Sequence, residues 1–95
     1  MSGKIEVRNV NHPDWRGNVD AAKYDAMKSA MRQGMAGSPG MTQSEMREAA
    51  KPFLPEDLFP GGKTAGWWSK TVQLDLEARG EMGRTRTKPL KFFFT

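Results

Sequence analysis

The segment from Lys63 to Gly80 constrains the fold most strongly, because it is the longest stretch with a helical pattern of apolar residues. At about 100° per residue, its apolar side chains form two adjacent stripes. These are Trp67, Thr71, Leu74 and Ala78 on one stripe, and Trp68, Val72 and Leu76 on the other. The pattern predicts a deeply packed helix from about Lys63 or Ala65 to Arg79, ended by Gly80 in a left-handed conformation. The remaining arc is polar and predicted to face solvent: Ser69, Lys70, Gln73 and Glu77.

Two shorter helices are predicted before this segment. Asp20 is a favourable N-cap for the first of them. Its inward stripe follows helical spacing: Tyr24, Met27 and Met31. Thr42 and Glu45 match a capping box that begins the second helix, which stops before Pro52. The region from Pro52 to Gly62 is a proline-rich connection whose apolar residues attach it to the core.

Strands are predicted at both ends of the chain. Residues 4–8 alternate polar and apolar, with Ile5 and Val7 on one side, whereas residues 9–18 are typical of a loop. After Gly80, two strands surround a basic connection at residues 85–88, and the N-terminal strand is expected to join this hairpin as a third strand. The sequence therefore predicts a single α+β domain over residues 1–95, with three helices and a small antiparallel sheet made of a C-terminal hairpin plus a short N-terminal strand.

Composition limits the kinds of chemistry that this chain can perform. The 95 residues include no cysteine, which excludes disulfides, thiol nucleophiles and cysteine metal sites. Three Trp, five Phe and seven Met supply large side chains for a small core. We find no signal-peptide pattern at the N-terminus and no apolar run long enough to span a bilayer. We therefore expect a cytoplasmic protein without membrane contact.

No catalytic arrangement can be assembled from the residues present. His12 is the single histidine, so a zinc site is not expected. Residues 61–64 resemble the end of a phosphate-binding loop, but Asp57 stands where that loop needs a glycine. Trp67 and Trp68 could stack on a ligand, although their positions favour core packing. We expect no enzyme activity, no cofactor and no metal.

The charge is unevenly distributed along the chain. Residues 1–60 carry eight basic and eight acidic side chains, whereas residues 61–95 carry seven basic and three acidic ones. The net charge of +4 therefore belongs to the last third of the sequence. Such an asymmetry favours a surface that faces a polyanion, and the alternative is a solvated basic end.

The order of elements resembles that of winged-helix domains. Residues 72–84, VQLDLEARGEMGR, are similar to the end of their recognition helix followed by the first strand of the wing. Two features depart from that pattern: Gln73 replaces an apolar residue, and the connection before the third helix is longer than a tight helix-turn-helix turn. The resemblance implies binding of double-stranded DNA, with the third helix in the major groove and the wing on phosphates or the minor groove.

This resemblance implies eight candidate nucleic-acid contacts. On the third helix they are Lys63, Thr64, Ser69, Lys70 and Gln73, and on the wing they are Arg84, Arg86 and Lys88. Glu77 on the same arc would repel phosphate. The alternative is a protein–protein interaction module on the same fold, which binds itself or another protein and does not bind DNA.

A second resemblance covers most of the chain. The strings NVNHP, VDAAKY, LPEDLFPGG and GWWSKTVQLDLEARG are similar to a family of small bacterial proteins of unknown function. That resemblance implies a bacterial origin and supplies no catalytic residues.

Overall fold

Three α-helices and two antiparallel hairpins form the fold of residues 3–95, which are the residues described by the computed structural model. The elements are β1 (Lys4–Arg8), β2 (Arg16–Asp20), α1 (Ala21–Gly34), α2 (Gln43–Ala50), α3 (Ala65–Ala78), β3 (Met82–Arg84) and β4 (Phe92–Phe94). Two short 3₁₀ turns lie between α2 and α3, at Lys51–Phe53 and Pro60–Gly62. The predicted α+β class and the three helices are thus confirmed.

The N-terminal strand pairs differently from the prediction. β1 forms its own antiparallel hairpin with β2, in which Ile5 lies opposite Val19 and Arg8 opposite Arg16. The prediction that β1 joins the C-terminal hairpin is therefore wrong. The loop predicted over residues 9–18 is shorter than expected, because β2 begins at Arg16. Pairing neighbouring segments closes a shorter loop and therefore costs less conformational entropy than pairing with the far end of the chain.

The C-terminal hairpin is extended by a residue that lies between the first two helices. Met82 pairs with Phe94 and Arg84 with Phe92 in the β3–β4 ladder. Met41 then pairs with Phe92 through two backbone hydrogen bonds of 2.9 and 2.7 Å. This bridge ties the hairpin to the start of α2. Met41 thus takes the position of the third strand, the position predicted for β1.

The predicted helix ends are confirmed in detail. The Asp20 side chain accepts a hydrogen bond from the Ala22 amide, and both hydrogen bonds of the capping box join Thr42 and Glu45. At the end of α3, Gly80 has a φ of 77° and its amide donates to the Glu77 carbonyl. The Glu81 amide reaches back to the Leu76 carbonyl at 2.9 Å, which completes a Schellman motif.

The face that α3 buries differs from the predicted one. Val72 and Leu76 are fully buried and Trp68 is 7% exposed, but Trp67 is 58% exposed. Ser69 and Gln73, predicted to face solvent, are buried beside the Trp68 stripe. The two apolar stripes look alike in sequence, and only packing against α1 and α2 selects one of them.

A fully buried carboxylate joins three elements of the fold. Asp75 of α3 accepts hydrogen bonds from the Tyr24 hydroxyl of α1 and from the Arg8 backbone amide of β1, the latter at 2.8 Å. Arg79 forms an ion pair with Asp75 at 2.9 Å and also donates to the Glu6 carbonyl at 2.9 Å. The carboxylate therefore satisfies its oxygens from three directions, as burial of a charge requires.

We predict that Asp75→Asn lowers the free energy of unfolding by about 3 to 5 kcal/mol. The asparagine side chain leaves Arg79 without its counter-charge, and its NH₂ group faces groups that are themselves hydrogen-bond donors. Urea denaturation followed by circular dichroism measures this difference. Asp25→Asn on the exposed side of α1 is the matched control and should stay within about 0.5 kcal/mol. Equal losses in both variants would contradict the structural role of Asp75.

We predict that the phenol of Tyr24 does not ionise at the ordinary pKa of 10.0 while the protein is folded. Burial raises the pKa of Tyr24, and the hydrogen bond to Asp75 raises it further. The unfolded chain loses this proton near pH 10, so the contribution of Tyr24 to stability is complete below that pH and is lost as the pH rises toward the folded value. Because Tyr24 is the single tyrosine, phenolate absorbance reports this group alone. A phenolate appearing near pH 10 in the folded protein would contradict the prediction.

Candidate nucleic-acid interface

The solvent-facing side of α3 presents one aromatic residue and one cation. Trp67 is 58% exposed and Lys70 is exposed, while Thr71 and Leu74 beside them are partly buried. The Trp67 ring meets the edge of Trp68 with centroids 5.0 Å apart and planes at 79°, which anchors it to the core. The candidate surface therefore rests on a rigid helix. Sequence reasoning assigned Trp67 to the core, since its stripe is as apolar as the buried one.

The start of α3 has no side-chain cap. Thr64 is the N-cap residue and has a φ of 62°, the one positive φ of a non-glycine residue among residues 3–95. Its side chain does not cap the helix, and both Thr64 and Lys63 are exposed. The left-handed conformation costs about 1 kcal/mol. Uncapped amides at a helix N-terminus, next to a lysine, favour contact with a phosphate.

Ser69 and Gln73 are 0% and 3% exposed, so the prediction that they read bases from the surface is wrong. They form a chain of hydrogen bonds with α2 instead. The Ser69 hydroxyl donates to the Gln43 amide oxygen at 3.2 Å, and the Gln43 amide donates to Gln73 at 2.6 Å. The Gln73 amide in turn donates to Glu77 at 2.7 Å. This polar seam fixes α2 against α3.

Arg84 is matched by a carboxylate and is not a free cation. Its guanidinium donates twice to Glu77, with one bond of 2.8 Å, and the Glu77 side chain is 4% exposed. The hydrogen bond to Glu77 raises the pKa of Arg84, and the guanidinium also lies 5.4 Å from the centre of the Phe92 ring. Arg84 therefore attaches β3 to α3, which corrects its predicted role as a phosphate contact.

The connection between β3 and β4 carries further exposed cations. Arg86 and Lys88 are exposed, and the loop around them is held by hydrogen bonds between Thr85 and Lys91 of 2.8 and 3.0 Å. Lys91 is exposed too, but its charge contributes to lowering the pKa of Glu45, whose main causes are hydrogen bonds with Thr42. Lys91 is thus partly compensated, whereas Arg86 and Lys88 have no such neighbour among residues 3–95.

Ion pairing divides the cations of the chain into two groups. Five of the eight basic side chains in residues 1–60 form salt bridges within the part of the chain that the structure describes. In residues 61–95 only Arg79 and Arg84 do so among seven. We call the four uncompensated cations of this region the basic surface: Lys63, Lys70, Arg86 and Lys88. Lys70 and Glu77 are seven residues apart on one edge of α3. Arg84 of the hairpin binds Glu77, which joins the two elements that carry these cations.

The comparison with known proteins gives a family but no described activity. The profile of a family of unknown function, DUF6958, matches residues 4–92. The chain belongs to the DUF6958 family. No curated protein and no solved structure matches the sequence. The DUF6958 match includes all four residues of the basic surface and agrees with the resemblance to small proteins of unknown function.

The part of this DUF6958 protein that the structure describes contains neither a membrane-spanning helix nor a metal-binding cluster. Between residues 3 and 95, each helix is too short or too polar to cross a bilayer. Over the same residues, no cluster of three or more His, Asp or Glu side chains is arranged to hold a metal ion.

We predict that Gln73→Leu lowers the free energy of unfolding by about 1 to 3 kcal/mol, because it leaves the partly buried Gln43 amide and the Glu77 carboxylate with one partner fewer. Lys70→Ala, a few residues earlier on the exposed face, should change it by no more than about 0.5 kcal/mol. Thermal or urea unfolding of both variants measures the difference. The reverse order would show that Gln73, and not Lys70, is the exposed residue.

Proposed function

We propose that this DUF6958 protein binds double-stranded DNA as a winged-helix-like domain, through α3 and the C-terminal hairpin. The observation that carries the proposal is the basic surface: four exposed cations without an ion pair within residues 3–95, on an element pair joined by Glu77 and Arg84. Cations that the fold does not compensate are available to neutralise phosphates and to release the counterions bound to DNA.

The order of the elements supports this proposal. Three helices followed by a hairpin is the order found in winged-helix domains, and the Met41–Phe92 bridge holds the hairpin beside the first two helices. In helix-turn-helix proteins the recognition helix lies in the major groove with its N-terminal residues near the bases. The corresponding part of α3 carries Thr64, Trp67 and Lys70 on its exposed side.

The exposed residues suggest separate roles in a complex. Lys63 and the uncapped amides at the start of α3 suit one phosphate, and Lys70 suits guanine or a phosphate. Trp67 offers an apolar contact of the kind that recognises a thymine methyl group. Arg86 and Lys88 on the hairpin suit phosphates or the minor groove. Ser69, Gln73 and Arg84 act indirectly in this proposal, by fixing α2, α3 and β3 against one another.

The ion pair of Glu77 removes an objection to DNA binding. A free carboxylate on the outer arc of α3 would repel phosphate, but Glu77 is bound by Arg84 and its side chain is 4% exposed. The pair is neutral overall, so the net charge along this edge of α3 comes from Lys63 and Lys70.

A protein-binding function on the same surface is the second candidate. Trp67 is the most exposed of the large apolar side chains in residues 3–95, at 58%, and Leu74 is only partly buried on the same side of α3. An exposed tryptophan on a rigid helix is typical of the anchors found at protein interfaces. That function would depend on Trp67 and would be insensitive to the wing cations.

We predict that binding to random duplex DNA weakens with salt along a log–log slope of about −3 to −4, as expected when four phosphates are neutralised. Fluorescence anisotropy with a labelled duplex over a series of salt concentrations measures the slope. The double variant Arg86→Ala with Lys88→Ala should flatten it by about 2.

The matched control is the double variant Lys4→Ala with Lys23→Ala. It removes the same charge from two other lysines that make no ion pair among residues 3–95, so an effect of net charge alone would be equal in both double variants. The wild-type slope is expected in the control. Absence of binding at low salt, together with an intact fold, would exclude the DNA proposal and leave the protein-binding candidate.

A further inference from the structure

A shallow pocket of about 220 Å³ lies between the N-terminal hairpin and the end of α3, apart from the exposed face of α3 at Trp67 and Lys70. Two arginines, two apolar residues of the hairpin connection and the last residues of α3 line it: Arg8, Arg16, Val10, Pro13, Glu77 and Ala78. The pocket thus has a cationic side and an apolar side. Neither feature is used by the proposed DNA contacts.

The cationic side carries a like-charge pair. Arg8 and Arg16 are directly opposite each other in the β1–β2 register, so their side chains leave the hairpin on the same face. Like charges in opposite positions destabilise a strand pair. An anion held between them would relieve that repulsion.

The acceptors near this pair are already occupied or distant. Glu77 is bound by Arg84 and Gln73, as described above. The Arg16 guanidinium donates to the carbonyls of Pro13 and Trp15 at 2.7 and 2.9 Å, and its distance to the Glu6 carboxylate is a long 3.7 Å.

The Arg8 guanidinium has a buried donor without an acceptor. Its Nε atom is buried and makes no hydrogen bond with any of residues 3–95, and it is the one buried side-chain polar atom there of which this is true. A buried donor on a charged group is costly when it lacks an acceptor. Because this Nε is closed off even from water, a ligand carboxylate would meet the terminal nitrogens of the guanidinium, in the paired geometry that gives the strongest and most directional of such contacts.

We propose that this pocket binds a small organic anion, with a carboxylate against Arg8 and Arg16 and a short apolar body against Val10, Pro13 and Ala78. The volume is below the range of about 300 to 1,000 Å³ typical of sites for drug-sized ligands, so the ligand is no larger than a single substituted ring. The apolar wall distinguishes this ligand from inorganic phosphate, which is polar on all sides.

The end of α3 opposes anion binding, but weakly. A helix C-terminus carries about half a negative charge. Here the carbonyls of Asp75, Leu76 and Glu77 are all bound by the amides that follow the helix. Arg8 makes no ion pair within residues 3–95 and Arg16 is paired with Glu6 only at 3.7 Å, so their positive charge outweighs that partial charge.

Titrations followed by amide chemical shifts test this proposal, with benzoate as probe, benzamide as its neutral isostere and inorganic phosphate as the polar anion. For wild type we expect saturable benzoate shifts centred on residues 8–10 and 78. Benzamide and phosphate should each bind at least about tenfold more weakly.

Two variants and a control locate the site. Arg8→Gln keeps the backbone amide that binds Asp75 and should weaken benzoate at least about tenfold. Ala78→Leu fills the pocket without changing charge and should do the same. Lys4→Gln removes an exposed cation from the same strand outside the pocket and should leave benzoate affinity unchanged.

Three outcomes would overturn the proposal. The first is no saturable benzoate shift in wild type, and the second is an affinity equal in wild type and in Ala78→Leu. The third is phosphate binding as tightly as benzoate, which would show that the apolar wall plays no part. DNA binding is measured separately, so the failure of either proposal leaves the other standing.

Discussion

The buried carboxylate of Asp75 is the interaction on which the arrangement of the elements depends. A charge inside a small protein is tolerated only with several donors, and Asp75 receives them from α1, β1 and its own helix. On the opposite side of the buried face of α3, Ser69 and Gln73 form a second polar seam with α2. The apolar stripe of Val72 and Leu76 lies between these two seams, so the rotation of α3 is set by polar partners on both sides.

That rotation decides which residues the protein can offer to a partner. With Asp75 and Gln73 turned inward, Trp67 and Lys70 are turned outward. Glu77 lies at the border between the two regions proposed here, because it lines the small pocket and also binds Arg84 of the hairpin. Glu77 therefore connects the wall of the pocket to the hairpin.

Local sequence patterns predicted the three helices and their ends well. Asp20, the Thr42–Glu45 capping box and Gly80 each act through backbone groups a few residues away, so their geometry can be read without the rest of the fold. The partner of β1 could not be read in this way, since Arg16–Asp20 contains a single large apolar residue, Val19. The candidate contacts divide by their surroundings. Ser69 and Gln73 are buried and Arg84 is paired with Glu77, whereas the other five are exposed, as contact with a partner requires: Lys63, Thr64, Lys70, Arg86 and Lys88.

By itself the sequence determined the three helices, their caps and the surplus of cations in the last third of the chain, because these depend on residues close together along the chain or on composition. Only the tertiary structure decided which stripe of α3 is buried, which strand accompanies β1 and which cations remain without a carboxylate. Each of those outcomes depends on partners distant in sequence: Asp75 meets Tyr24 and Arg8, and Gln73 meets Gln43. A helical pattern with two equal apolar stripes contains no information about such partners.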